Sequence, residues 1–203
     1  MDGEKRGEIL LLYASQTGFT QRYAAWIAQA LGVPAQPLAA CTKAQVAAAE
    51  LIIFGGSVRG SILTGQTKVD RLCRRAGGKP VVWFATGLRP ATPRTLDLIR
   101  RNNFAAEVPL FYFRGGLAPE KLRPGDKTLL LCYRAMLRRR RERAAEDEAL
   151  LPLFQTACDY TDRRQIAPLL RKVAELGWSL PAETTVFYGL TDESAQTMKG
   201  GSV

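Results

Sequence analysis

The most constraining feature of this sequence is a series of short apolar runs that alternate with segments of helical spacing. A turn rich in glycine, proline or hydroxyl residues follows each run, which is typical of buried strands. We predict five strands, at residues 9–14, 33–38, 51–54, 80–85 and 108–113. Helices are predicted at residues 20–31, 42–50, 66–76, 93–101 and 163–176. This alternation favours an α/β fold whose parallel sheet is covered on both faces.

The length and the later part of the chain suggest one domain with additions. A chain of 203 residues fits a single domain. The alternation stops after residue 116, so we predict an insert over about 117–159, before the last helix. A polar extension covers about 180–203, where residues 186–188 form either a short strand or part of a loose tail.

Composition excludes several classes of chemistry. The chain has no histidine, which rules out a Ser-His-Asp triad, a Cys-His dyad and a histidine-ligated metal. The four cysteines are too far apart in sequence for a zinc or iron–sulfur site, so we expect four buried, reduced thiols and no metal. No apolar run approaches the length of a membrane span or a signal segment. We therefore expect a cytoplasmic protein.

The turn after the first predicted strand carries the strongest functional signal. It reads Ser-Gln-Thr-Gly-Phe-Thr at residues 15–20 and leads into a predicted helix. Three hydroxyls, the turn amides and the helix N-terminus can together bind a phosphate monoester without a lysine. The alternative is a capped helix start after a tight turn, which serine and threonine also favour. Neither a Walker loop nor a dinucleotide-binding glycine motif is present at this turn.

This turn resembles the first loop of the flavodoxin family, [ST]-x-T-G-x-T, which holds the phosphate of FMN. The resemblance implies a three-layer α/β fold with a five-stranded parallel sheet in the order 2-1-3-4-5. It also implies that loops after the third and fourth strands contact the isoalloxazine ring. The residues it assigns to FMN are Ser15, Gln16, Thr17, Gly18, Phe19, Thr20, Gly56, Ser57, Val58, Arg59, Gly60, Thr86, Gly87, Leu88 and Arg89.

The two ring loops differ from those of many flavodoxins because neither contains an aromatic residue. Val58, Ile62, Leu63 and Leu88 are the apolar residues in or beside them. An aromatic face disfavours an electron-rich reduced flavin, and nearby arginines favour it by Coulomb attraction. We therefore expect a less negative flavin potential than in an acidic, electron-carrying flavodoxin.

The positive charge of the chain is concentrated in the predicted insert. The formal net charge is +10, and residues 114–143 hold ten basic but only three acidic side chains. Residues Asp126–Arg141 predict a helix with an apolar face and four arginines at its far end. That face either packs on the domain or binds an anionic membrane surface, which would place the protein at the inner face of the membrane. We expect no nucleic-acid partner, because no recognition motif is visible.

Within the flavodoxin-like proteins, the chain is most similar to the menaquinone-dependent protoporphyrinogen IX dehydrogenases. The similarity lies in the stretches 55–59, 114–117 and 160–162 and in the basic insert. It implies an FMN-dependent oxidoreductase that passes electrons to a quinone, with no catalytic side chain assigned. Arg59 and Arg89 would then bind carboxylates of the substrate.

Two alternatives stay open. One is an electron carrier or flavin reductase that serves a redox partner protein. The other is an interaction module on the same fold that has lost FMN.

Overall fold

The computed structural model describes residues 7–141 and 145–190. Its strands are β1 Ile9–Ala14, β2 Ala35–Pro37, β3 Leu51–Arg59, β4 Ile62–Leu63, β5 Val81–Gly87, β6 Leu110–Arg114, β7 Gly116–Leu117 and β8 Cys158–Asp159. Its helices are α1 Phe19–Leu31, α2 Lys43–Ala48, α3 Gln66–Arg75, α4 Pro93–Asn103, α5 Pro124–Arg139, α6 Ala145–Leu150, α7 Ala167–Glu175 and α8 Ala182–Tyr188.

The central sheet confirms the predicted α/β fold and its strand order. Five parallel strands lie in the order β2-β1-β3-β5-β6, which is 2-1-3-4-5 when only parallel strands are numbered. The short β4 pairs antiparallel with β3, so the sheet has six strands where five were predicted. The proline-containing β2 lies at the edge, where a missing amide costs little.

Alternate side chains of each strand pack on opposite faces and form the three layers. Leu11, Ile53 and Phe84 belong to one core, which includes residues of α1 and α7. Leu12, Ile52 and Phe54 belong to the other core, which includes residues of α2, α3 and α4. This alternation leaves the strand ends as the place where loops from both sides meet.

The third strand is longer than predicted, and this corrects the position of two glycines. Gly55 and Gly56 were expected to end the strand, but they lie inside β3 and pair with both neighbouring strands. A Cβ atom on Gly55 would lie 1.9 Å from Cζ of Phe84. A Cβ atom on Gly56 would lie 2.4 Å from the Thr64 carbonyl oxygen. Glycine is therefore required here by close packing within the sheet, and not by a turn.

The insert leaves and rejoins the domain through a short antiparallel ribbon. Gly116 pairs with Asp159 and Leu117 with Cys158, where β7 and β8 meet. Between these strands lie α5 and α6 and two 3-10 turns, at Pro119–Lys121 and Pro152–Gln155. The helix predicted over residues 126–141 is thus α5, which starts two residues earlier and ends two residues earlier.

The C-terminal extension contains a helix, which corrects the expected strand or loose tail. Residues 186–188 lie in α8, where the Thr184 hydroxyl donates to the Ala30 carbonyl oxygen at 2.8 Å. The Tyr188 hydroxyl accepts a hydrogen bond from Nε of Arg163 at 2.9 Å. These bonds fasten the helix to α1 and to the start of the segment that leads into α7. Residues 191–203 of the extension lie outside the described part of the chain.

The cysteines differ from expectation in their burial. All four are free, but only Cys73 is buried, whereas Cys132 on α5 is exposed. In the described ranges no group of cysteine and acidic side chains is arranged to hold a metal ion. None of the helices described is both long and apolar enough to cross a bilayer.

Candidate functional site

A cavity of about 220 Å³ lies where the turn after β1 and the ends of β3 and β5 meet. Every residue that the sequence assigned to a cofactor lines it, except Ser15, Gly18 and Gly56. Ser15 and Gly18 shape the first turn, and Gly56 lies within the sheet. The three predicted loops are therefore brought together at one edge of the sheet, as expected from strands that run parallel.

The first turn is built to present backbone amides to the cavity. Gly18 is the N-cap of α1 with φ +97°, a conformation that glycine adopts without strain. The Ser15 hydroxyl accepts a hydrogen bond from the Gly18 amide at 3.2 Å. No side chain caps the first turn of α1. Because the first amides of a helix have no partner within it, this end of α1 can bind an anion.

A pair of buried hydroxyls links the start of α1, after the first turn, to the end of β5. Oγ1 of Thr20 lies 2.6 Å from Oγ1 of Thr86, and both side chains are almost fully buried. Two hydroxyls carry two protons, and the bond between them uses one. The second proton is left to donate to a further acceptor, and the pair fixes the start of α1 against β5.

The turn between β3 and β4 is held by the last residues of α4. Ser61 has φ +81°, which is unusual for a residue with a side chain. Nδ2 of Asn103 donates to the Ser61 carbonyl oxygen at 2.8 Å, and Oδ1 of Asn103 accepts from the Leu63 amide at 2.7 Å. These bonds keep Gly60 and Ser61 at the cavity wall despite the strained backbone.

The insert forms the opposite wall of the cavity, which the sequence analysis did not predict. Leu129, Leu130 and Tyr133 of α5 line it, together with Leu150 and Phe154 further along the insert. The Tyr133 and Phe154 rings meet edge to face with centroids 5.9 Å apart. The apolar face of α5 was recognised from its spacing. Part of that face turns to the cavity, a possibility that neither expected role of the helix included.

Aromatic rings reach the cavity from segments outside the two ring loops. They belong to Phe19, Tyr112, Tyr133 and Phe154. The Tyr112 hydroxyl donates to the Arg89 carbonyl oxygen at 2.9 Å, and burial raises the pKa of this phenol well above its usual range. The cavity therefore contains aromatic residues, although the two ring loops contain none. Of the apolar residues noted beside the loops, Val58 and Leu88 line the cavity.

The first of two arginines at the cavity is engaged by an acid of the insert. Arg59 lies 2.7 Å from Oδ1 of Asp126, whose side chain is 15% exposed. Nε2 of Gln16 donates to the other carboxylate oxygen at 2.5 Å, and Arg59 also donates to the Gln16 side chain. One carboxylate on α5 therefore joins the first turn and the end of β3.

The second arginine has a similar partner. Arg89 lies 2.6 Å from Oδ1 of Asp147, which is buried on α6, and it also donates to the Tyr133 hydroxyl. Burial alone would lower the pKa of the Arg89 guanidinium, but Tyr133 and Asp147 outweigh burial and raise this pKa. Both arginines that were expected to bind a substrate are thus paired within the protein. A carboxylate of the insert offsets the positive charge of each arginine. The less negative flavin potential expected from the sequence did not take these carboxylates into account.

The remaining stretches that carried the resemblance form the base of the insert. The Arg114 guanidinium stacks 3.7 Å from the centre of the Tyr160 ring, and the Arg114 amide donates to Oε1 of Gln165. The Tyr23 hydroxyl donates to the Arg114 carbonyl oxygen at 2.7 Å. These contacts hold the two ends of the insert beside the sheet, so we assign them a structural role.

The chemistry of the lining fits FMN. The uncapped start of α1 and the hydroxyls of the first turn suit a phosphate, and no atom lies within 4 Å of a Cβ position at Gly18 or Gly60. The apolar and aromatic walls suit a flat ring. The residues present are therefore compatible with a flavin mononucleotide.

Comparison with known proteins agrees with this geometry. Residues 10–143 match the family model of the flavodoxin domain. A search of curated proteins finds no match to the chain. Among solved structures, the chain is similar to a flavodoxin from the domain Archaea, at 15% identity over 73% of this chain and 99% of that one, with a TM-score of 0.36. It is also similar to a flavoprotein described as putative from Bacteroides eggerthii, at 17% identity over 66% and 97%, with a TM-score of 0.39.

A third similar structure is oxidised flavodoxin 1 from Bacillus cereus, at 19% identity over 61% of this chain and 92% of that one, with a TM-score of 0.36. The identities and scores of all three are low, so the family assignment rests on the sequence match. That match covers more than half of the chain, and it indicates FMN as the cofactor. The chain belongs to the flavodoxin-domain family.

Proposed function

We propose that this chain is an FMN-dependent oxidoreductase that oxidises a porphyrinogen and passes the electrons to a quinone. One observation carries the proposal: the insert covers the cavity with apolar and aromatic side chains from α5, α6 and the 3-10 turn after them. An electron carrier exposes its flavin edge to a partner protein, whereas a dehydrogenase needs space for a substrate beside the ring. An apolar cover suits an apolar organic substrate and an apolar acceptor.

In this proposal, the first turn binds the phosphate of FMN. The amides at the start of α1 and the hydroxyls of Ser15, Thr17 and Thr20 supply the donors, with Gln16, Gly18 and Phe19 completing the turn. Residues 56–60 and 86–89 would hold the ring. When bound, FMN would supply the hydride chemistry. The protein positions the ring, excludes water and sets the local charge.

Proton removal from the substrate is assigned to water. Asp126 is the carboxylate among the described residues that line the cavity, and both of its oxygens are engaged, one by Arg59 and one by Gln16. A hydride would leave a reduced carbon of the porphyrinogen, the proton of its neighbouring nitrogen would pass to water, and the quinone would be reduced to a quinol. In each such step the two electrons lost by the porphyrinogen would equal those gained by one quinone, and the quinone would take up two protons, which balance the hydride hydrogen and the proton released to water.

The acceptor and its location are part of the same proposal. Leu131 is 62% exposed and Met136 is 42% exposed on α5, and Arg138 and Arg139 follow at its end. Apolar and basic side chains on one exposed helix suit an anionic membrane surface, where a quinone would be met. We propose binding at the inner face of the membrane on this basis.

An anaerobic assay tests the proposed reaction. The FMN-loaded protein is mixed with protoporphyrinogen IX and a soluble menaquinone analogue, and porphyrin fluorescence is followed. We expect fluorescence to rise with quinone present and to stay low without it. A protein that binds FMN but shows no such turnover, and instead shuttles electrons from a reductase, would contradict the dehydrogenase assignment and support the carrier. A colourless protein without affinity for FMN would support the interaction module.

A further inference from the structure

A second groove adjoins the flavin cavity. It measures about 740 Å³ and shares Gly60, Ser61, Arg89, Leu98 and Tyr133 with the cavity. Its other walls come from α4, from the C-terminal end of α5 and from Asp147 on α6. Because the two spaces share residues, a ligand held in the groove can reach the ring site. No role has so far been assigned to this groove.

The groove carries more positive charge than the described acidic side chains around it neutralise. Four arginines line it, at positions 89, 94, 101 and 140, together with Asp97 and Asp147. Asp147 pairs with both Arg89 and Arg140, and Asp97 pairs with Arg100. Among the carboxylates whose side chains the structure describes, in the ranges 7–141, 145 and 147–190, none lies within ion-pair distance of Arg94 or Arg101. These two exposed guanidiniums are therefore available to an anionic ligand.

Helical spacing places the two arginines on one face with an apolar residue between them. Arg94, Leu98 and Arg101 are separated by four and three positions on α4. Leu98 is 38% exposed, and Met136 across the groove is 42% exposed. The helical rise separates the two arginines by about 10 Å along the axis. The groove thus offers two cationic ends and an apolar middle.

Hydrogen bonds from the end of α4 fix the turn at residues 60–61, which also lines the groove. Nδ2 of Asn102 donates to the Ser61 hydroxyl at 2.7 Å, and Nδ2 of Asn103 donates to the Ser61 carbonyl oxygen at 2.8 Å. The turn at residues 60–61 is therefore tied directly to α4. A site held in this way loses little free energy in ordering when a ligand binds.

We propose that this groove binds the acidic groups of the molecule that exchanges electrons with the flavin, and that Arg94 and Arg101 are the residues that bind them. The ligand carries two or more carboxylate or phosphate groups on an apolar body. This proposal rests on the proposed function, and it replaces Arg59 and Arg89 as the anion-binding residues. Those two are paired with Asp126 and Asp147.

Binding of a matched pair of probes tests the proposal. Protoporphyrin IX has two free carboxylates, and its dimethyl ester has none. Each is titrated against the protein with and without FMN, and binding is followed by porphyrin fluorescence. The double variant Arg94→Gln/Arg101→Gln is compared with Arg71→Gln/Arg75→Gln on α3, which removes the same charge outside the groove. NADPH forms a second arm, because it carries phosphates in place of carboxylates.

We expect the diacid to bind the wild type and the α3 variant equally, and the groove variant at least about tenfold more weakly. The ester should bind all three weakly. If NADPH rather than the diacid shows this loss, the acidic groups are phosphates and the site stands. Unchanged affinity for both probes in the groove variant, or no binding of either to the wild type, would overturn the proposal. The FMN titration is separate: a protein that binds no FMN contradicts the proposed function, and the probes then test the groove alone.

Discussion

The cavity has two walls that are stabilised in different ways. The wall at the strand ends is formed by the turn after β1 and by the sheet beside it: the Ser15 hydroxyl accepts from the amide of Gly18, three positions away, and the Thr20 hydroxyl at the start of α1 bonds that of Thr86 on β5. The wall formed by the insert is held from a distance, since Asp126 pairs with Gln16 across 110 positions. Its ion pairs, Arg59 with Asp126 and Arg89 with Asp147, join segments that are far apart in sequence.

This difference separates cofactor binding from control of the cofactor's surroundings. The strand-end wall offers amides and hydroxyls, which suit a phosphate held through dipoles and hydrogen bonds. The insert offers apolar side chains and two carboxylates, so it affects what approaches the ring and how positive the site is. Substitutions in the first wall should therefore change FMN affinity, whereas those in the second should mainly change potential and substrate binding.

The largest expected effect is on the phosphate turn. Replacing both hydroxyls in Thr17→Ala/Thr20→Ala removes hydrogen bonds to a charged group, each worth roughly 1.5–3 kcal/mol. We expect FMN affinity to fall by about 100-fold or more, measured by isothermal titration calorimetry. Thr67→Ala, at an exposed position on α3, is the control and should bind normally. If the double variant retains affinity within about threefold, the phosphate lies elsewhere.

The second prediction concerns the rigidity of the strand-end wall. Gly55→Ala places a Cβ atom against the Phe84 ring and should lower the free energy of unfolding by about 3 kcal/mol. Gly125→Ala is the matched control, because no atom lies within 4 Å of its Cβ position. It should leave stability unchanged or slightly higher. Urea denaturation measures both, and equal stability of the two variants would contradict the packing described for β3.

The third prediction tests the insert wall through charge. Asp126→Asn keeps the shape of the side chain but leaves the Arg59 charge uncompensated beside the ring. A positive field favours the reduced, anionic flavin, so the potential should become less negative. For a partly exposed pair we expect about 1 kcal/mol, or roughly 20 mV for a two-electron couple.

An anaerobic redox titration measures this shift, with the exposed insert residue Glu120 replaced in Glu120→Gln as the control. A potential that moves in the negative direction in Asp126→Asn would show that the carboxylate does not oppose Arg59 at the flavin.

The smallest expected effect is a difference in reactivity between a cysteine packed on the sheet, Cys73 on α3, and a cysteine of the insert, Cys132 on α5. Burial raises the pKa of the Cys73 thiol to about 11, so it stays protonated at pH 8 and becomes reactive only as the pH approaches that value. Cys132 on α5 is exposed. Labelling with a thiol reagent at pH 8 should modify Cys132 first and Cys73 last. Cys132→Ser and Cys73→Ser assign the two phases, and comparable rates at the two sites would contradict the burial of α3 on the sheet.

The sequence was sufficient for the parts of the fold that depend on local signals. The apolar runs located the parallel strands, and the turn at residues 15–20 indicated a phosphate site. Gly55 and Gly56 were misplaced because a pair of glycines reads as a turn unless the ring of Phe84 on the next strand is known. That contact depends on strand pairing, which local sequence does not encode.

The contacts of the insert with the cavity could not be predicted from local sequence for the same reason. The spacing of Leu129, Leu130 and Tyr133 placed them on one helix face, but nothing in that pattern identified Arg59 as the partner of Asp126. The many basic residues of the insert suggested binding to an anionic surface. Only two acids of the insert, Asp126 and Asp147, pair with the arginines of the cavity. Their importance appears only when distances across the fold are known.

Hydrogen exchange with and without FMN tests the central claim, that one cofactor site is formed by the turn after β1 and by the insert. We expect saturating FMN to slow exchange in residues 15–21 and in the cavity-facing turns of α5 together. Absence of protection at residues 15–21, or protection there with no change in α5, would contradict it.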